Sequence, residues 1–150
     1  MTTPPPPPPG YGPPPPGYGP PPPGALGELA SWGLRVQSAL IDVVVPFIVA
    51  DVIYFVSHVL GTLVWLAAIG WGLYNAYLGG ETGQSTGKKM AGTKLINMQT
   101  GQPIGGGMGI ARYFVHIVDG FCFLGYLWPL WDAQKQTFAD KILSTVVVKA

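Results

Sequence analysis

Two stretches of this chain place an arginine seven residues before an aspartate in an otherwise apolar segment. They read Arg35-VQSAL-Ile41-Asp42 and Arg112-YFVHI-Val118-Asp119. On a helix that spacing puts both groups on one face, with the carboxylate about 10 Å deeper than the guanidinium. A charged side chain at the centre of a membrane helix costs about 2.5–3.5 kcal/mol to insert on translocon scales, so such aspartates are functional-site candidates by default. If both segments are helical and enter a bilayer from the same side, Asp42 and Asp119 reach a similar depth. Two facing carboxylates in low dielectric share a proton or hold a cation. The alternative is structural: Asp42 pairs with Arg112 or with a backbone amide and locks helix packing. His116 lies one turn from Arg112 and three residues before Asp119, within reach of either, and for this residue a structural role is the leading reading. Asp51, nine residues beyond Asp42, falls on roughly the opposite face and is expected to be hydrated near the outer boundary.

The elements that must position these groups begin with Leu34 to Leu78, forty-five residues bordered or interrupted only by Arg35, Asp42, Asp51 and His58. A membrane-crossing helix needs about 20 apolar residues. This run is therefore two crossings, helices at about 34–56 and 60–78, with the turn over Ser57-His58-Val59-Leu60-Gly61. Pro46 predicts a kink in the first, which neighbouring helices can tolerate by re-satisfying the freed carbonyl. Gly61, Ala67, Ala68, Gly70 and Gly72 permit close helix packing in the second. The turn carries no Lys or Arg, whereas the following loop carries Lys88, Lys89 and Lys94, with Arg112 at its end. By the positive-inside rule the N-terminus and this loop are cytoplasmic. A third apolar stretch, 110–131, is long enough to cross once but holds His116, Asp119, Gly120, Gly125 and Pro129. A crossing would put Lys135, Lys141 and Lys149 outside, so a re-entrant path is favoured, with a third crossing as its competitor. Thr93–Met98 and Ser144–Lys149 are strand candidates, each too short to stand alone, and pairing would satisfy both.

Composition narrows the function. Only 10% of residues are charged, against about 25% in soluble domains. A net charge of +1 argues against a nucleic-acid partner, which would want a basic face. One cysteine, Cys122, excludes a disulfide framework within the chain, and two histidines without ligand spacing argue against a metal site. No Ser–His–Asp arrangement supports catalysis, so an enzyme is not expected, nor is a cofactor. Gly83-Gln84-Ser85-Thr86-Gly87-Lys88-Lys89 is not a phosphate-binding loop, because Thr82 and Lys89 stand where a glycine and a Ser/Thr are required. Gly105-Gly106-Gly107-Met108-Gly109 is not a dinucleotide fingerprint, because Ile110 stands in place of the third glycine. Residues 1–24 repeat Gly-Tyr-Gly-Pro-Pro-Pro-Pro and hold no apolar core. They read as a disordered proline-rich tail of short polyproline rods, either a solvated spacer or a docking ligand anchored by Tyr11 and Tyr18. No basic, then apolar, secretory pattern opens the chain, so the first helix is expected to act as the insertion signal.

From Leu26 to Ala150 the chain resembles the RDD family of small, mainly bacterial membrane proteins, named for one arginine and two aspartates. The resemblance is carried by Arg35 with Asp42, by the loop Gly83 to Gly92 with Gly87 and Lys88, and by Arg112 before an apolar run. Trp131-Asp132, Gln136-Thr137-Phe138-Ala139-Asp140-Lys141 and Ser144 to Val148 complete it. The family's second aspartate usually follows a histidine; here Ala139 precedes Asp140, so a His–Asp proton relay at that place is not expected. The resemblance implies transport, with cation–proton exchange suggested for some members. The expected protein is an all-α membrane domain at 25–150, with two crossings, a third embedded segment and a small cytoplasmic two-stranded β element. It is expected to lie in the cell membrane among lipids as a homo-oligomer and to bind or move an ion through its intramembrane aspartates. The rival is a scaffold whose proline-rich tail recruits a protein partner.

Overall fold

The computed structural model describes residues 26–120 and 123–150. The reading of residues 1–24 and that of Cys122 concern segments outside them. The first helix, α1 (Trp32–Val56), opens under Ser31, whose hydroxyl accepts from the Leu34 amide. It is α-helical except for a π turn over Leu40–Val44, immediately before Pro46. The expected disturbance at Pro46 takes this form. Proline lacks an N–H and its ring crowds the carbonyl four residues back, which is that of Asp42, so widening the preceding turn relieves the conflict. Ser57 alone, extended at φ −151°, breaks the chain between α1 and α2 (His58–Thr82) and caps the latter through Leu60 N. The turn is thus one residue rather than five. The second helix also runs past the apolar boundary at Leu78, ending only where Gly83 adopts φ 81°.

A short helix, α3 (Thr86–Met90), leads into β1 (Thr93–Asn97). The third segment is α4 (Gly106–Asp119) followed by α5 (Leu124–Leu127) and a 3₁₀ turn at Trp128–Leu130. The two parts meet at 105°. After α6 (Phe138–Ile142) the chain closes as β2 (Thr145–Lys149). Among the described residues two helices are long and apolar enough to cross a membrane, three if the bent pair is one span.

The strands pair antiparallel, Leu95 opposite Val147 and Ile96 opposite Val146, and Leu29 bridges Val148. Alternation sends Leu95 and Val147 to one face with Ala30, and Ile96, Val146 and Val148 to the other beside Leu26, Leu29 and Met98. The sheet therefore ties together the start of α1, the far end of α2 and the C-terminal strand at one end of the helices. The third segment begins beside the end of α2, where Gly105 N donates to the Gly80 carbonyl, and the strand that closes the chain lies in the same sheet. Valine and isoleucine dominate the pairing because branched side chains fill a pleated, half-buried surface. Outward-facing Val52, Phe55, Val56, Val59 and Leu63 remain exposed, as apolar side chains turned to lipid would be.

Candidate functional site

The polar groups gather where α1, α2, α4 and α6 approach the sheet. Asp140 is fully buried and carries most of the connections. Arg35 Nη1 donates to its Oδ2 at 2.7 Å, and Arg112 donates to its Oδ1 from Nη2 at 2.7 Å and Nε at 3.0 Å. Thr145 Oγ1 donates at 2.8 Å. Thr137 and Asp140 also form a reciprocal capping box at the start of α6. One carboxylate thus joins the first helix, the third segment, the C-terminal strand and a short helix. Burial would raise the Asp140 carboxyl, but the Arg112 and Arg35 guanidinium groups outweigh it and hold it far below the ordinary carboxylate range.

Asp42 is buried in the π turn and accepts from the Ser85 hydroxyl and, at 2.7 Å, from the Gly87 amide. Thr86 N donates in turn to Asn75 Oδ1 of α2 at 2.8 Å. A Cβ on Gly87 would stand 2.9 Å from the Asp42 carboxylate and nearer still to the Ser38 carbonyl, so the backbone approaches this closely only as glycine. The loop dismissed as a phosphate site does wrap an anion, and the anion is the protein's own Asp42. Gly83 terminates α2, and Gly92, at φ 62°, turns the chain into β1. Asp119, also buried, bonds to His116 Nδ1 and accepts from Ala139 N at 3.2 Å. Asp51 is exposed and accepts from Trp65 Nε1 at 2.7 Å.

The carboxylates of Asp42 and Asp119 therefore have no donor in common among the described residues. The repeated spacing does not bring the two together: the segment holding Ser85 and Gly87 reaches Asp42, and Ala139 of α6 reaches Asp119. Nor does Asp42 pair with Arg112, which goes to Asp140. Of the structural alternatives, the backbone amide is the partner seen. Residue-by-residue reading missed Ser85, Asn75, Thr137 and Thr145. The Thr137-x-x-Asp140 pattern was the available signal for the capping box. Nothing local marks Arg35 and Asp140, 105 residues apart, as partners.

A cavity of about 570 Å³ lies inside this arrangement. Arg35, Asp42, Lys88, Arg112 and His116 line it, together with apolar side chains such as Val36, Leu40, Val43 and Leu127. Lys88 is half-buried. Burial and, next, the Arg112 charge push its ammonium down to about 8.

The RDD family model matches residues 29–144. A proline-rich antigen homolog of Mycobacterium tuberculosis (strain ATCC 25618 / H37Rv) is 45% identical over 95 residues, covering 59% of this chain and 40% of the relative. The proline-rich antigen of Mycobacterium leprae (strain TN) is 48% identical over 84 residues, 55% of this chain and 34% of that protein. The matches thus span well under half of these relatives' length. No solved structure matches. With Arg35 and Asp140 paired at its centre and Asp42 holding the loop, and with the family match over most of its length, this chain belongs to the RDD family.

Proposed function

We propose that the protein is a non-enzymatic, multi-pass protein of the cell membrane that binds or moves a small ion, cation or proton among the candidates, through this chamber, as a homo-oligomer. The observation that carries the reading is the convergence of Arg35, Asp42, Lys88, Arg112 and His116, drawn from three separate parts of the chain, on one cavity beside helices of membrane-spanning length. A polar cluster in such a place is costly to bury, which makes it a functional-site candidate by default. The distribution of Lys88, Lys89, Lys94, Lys141 and Lys149 supports a cytoplasmic N-terminus, loop and C-terminus. In a Cys122→Ala background, cysteines introduced at Thr86 and Ala150 are expected to react with an impermeant thiol reagent from the same, cytoplasmic side. Labelling of the two from opposite sides would require a third crossing.

The direct test is cation and proton flux in proteoliposomes. Asn at position 42 can still accept from Gly87 N and donate to Ser85 Oγ, so Asp42→Asn is expected to fold while flux falls at least about tenfold, the loss of a charge-assisted contact at the path. Undiminished flux in that variant removes Asp42 from the path. A second reading is favoured by the occupied state of the carboxylates: Asp42, Asp119 and Asp140 all accept from protein donors. In it the polar groups hold helices together, and the proline-rich residues 1–24, a feature echoed in the relatives' names, recruit a protein partner. Deleting residues 1–24 is then the damaging change, and Asp42→Asn leaves function intact.

A further inference from the structure

Among the charged side chains at the cavity, the cations keep donors without a partner among the described residues. Arg35 gives only Nη1 to Asp140; its Nε and Nη2 are buried without a partner among the described residues. These two nitrogens form one edge of the guanidinium, the parallel-donor fork that matches an oxyanion. Arg112 commits Nε and Nη2 to Asp140, and its Nη1 has no hydrogen bond among the described residues. The Lys88 ammonium makes no ion pair among them, and its one hydrogen bond there is a long 3.5 Å contact to Ser85 Oγ. The acceptors tell the opposite story. Asp140 takes donors from both arginines and Thr145, and Asp42 takes the Ser85 hydroxyl and Gly87 amide. A cation entering here would meet carboxylates already engaged and three basic groups. An oxyanion would meet donors that lack acceptors.

We propose that the cavity is a phosphate-binding site, in which Arg35, Lys88 and Arg112 receive the phosphate group of an anionic ligand. The apolar wall made by Val36, Leu40, Val43, Phe123 and Leu127 accommodates whatever apolar body that group carries. Two sources share this chemistry, free inorganic phosphate and the headgroup of an anionic phospholipid. The site rests on the reading of the chamber as a binding site and specifies what the chamber takes. Position favours Lys88 as the adjustable member. It stands on α3, which Asp42 anchors through Gly87, so the loop delivers the ammonium to the cavity while taking no part in the Asp140 pairs. The charged groups facing Lys88 are Asp42 of α1, Asp140 of α6, and the arginines Arg35 and Arg112. Its ammonium titrates at about 8, and binding an anion favours the protonated form, so affinity weakens as pH rises past that value.

The experiment uses the purified full chain. In detergent, its melting temperature is followed against inorganic phosphate, with chloride at matched ionic strength as control. In nanodiscs, phosphatidylcholine alone is compared with phosphatidylcholine containing phosphatidate. Stabilisation by phosphate but not chloride identifies the free anion as ligand; stabilisation by phosphatidate alone identifies the lipid headgroup. In either case Lys88→Gln is expected to raise the ligand concentration needed for a given stabilisation about tenfold, the scale of one charge-assisted contact. Arg35→Lys, which keeps a cation opposite Asp140 but removes the fork, is expected to raise it similarly. No response to either probe, or a response unchanged in both variants, overturns the site. Flux is read separately: cation flux lost in Asp42→Asn with neither probe bound leaves the transport reading standing and removes this one. Phosphate or phosphatidate binding without cation flux does the reverse.

Discussion

Asp140→Ala is expected to destabilise the protein by roughly 3–5 kcal/mol, the cost of removing one partner from a buried charge pair and stranding the others. Two guanidinium groups lose their shared acceptor at once, and Thr145 and the α6 capping box lose theirs. The loss is the largest expected at any polar position, since among the described residues no other side chain joins four elements. Chemical denaturation in detergent measures it, and a variant within about 1 kcal/mol of wild type, the scale of an exposed ion pair, would show the pairs contribute no more than surface ones. The pH dependence has a definite sign. The folded Asp140 carboxyl lies far below its unfolded value of about 3.9, so its contribution is complete above that value and is lost as pH falls from about 4 toward the folded pKa. Between pH 7 and 5 the gap between wild type and Asp140→Ala is expected to stay constant; below about pH 4 it narrows.

The spans and the sheet were legible because local rules decide them. The apolar run from Leu34 to Leu78 is longer than one crossing can use, and the β-branched Val146-Val147-Val148 has no helical period to follow. Strand pairing followed from shortness alone, and the expected limits overshoot the observed strands by one residue each, at Met98 and Ser144. The helix limits were less legible. Gly79 and Gly80 read as a boundary, yet α2 continues through both because they are buried against other chain segments, Gly79 against Ser85 and Gly80 against α4. The site was legible as a set of residues and not as a set of pairs. Arg35, Asp42, Arg112, His116 and Asp140 do assemble near one cavity, but who bonds whom depends on contacts across tens of residues. The repeated Arg-x6-Asp spacing describes depth along a helix. It says nothing of which loop arrives, and the loop around Gly87 reaches Asp42 while Ala139 reaches Asp119. The phosphate-loop comparison failed on sequence grounds, although the physics it rests on, backbone N–H turned toward a negative charge, does operate there, through Gly87 N on Asp42.

Gly109→Ala is expected to cost about 1–3 kcal/mol, as overpacking does at a contact that cannot relax. Helices α2 and α4 cross with Gly80 against Gly109. A Cβ on Gly109 would stand 2.8 Å from Gly80 Cα, and nearer still to the Ala76 carbonyl. These are backbone atoms, so no side chain can swing aside, and the helices must separate. Alanine is otherwise the better helix former by roughly 0.5–1 kcal/mol, which makes the sign of the result informative. Gly107 supplies the contrast: it lies on the same helix with nothing within 4 Å of its hypothetical Cβ, so Gly107→Ala is expected to be neutral or slightly stabilising. The consequence reaches the site because Arg112 follows Gly109 by three residues, one turn along α4, and depends on that crossing to meet Asp140. Melting temperatures of both variants, with hydrogen exchange along α4, make the measurement. If Gly109→Ala proves as stable as wild type, the close crossing does not hold α4 in place, and the two arginines find Asp140 by the loops alone.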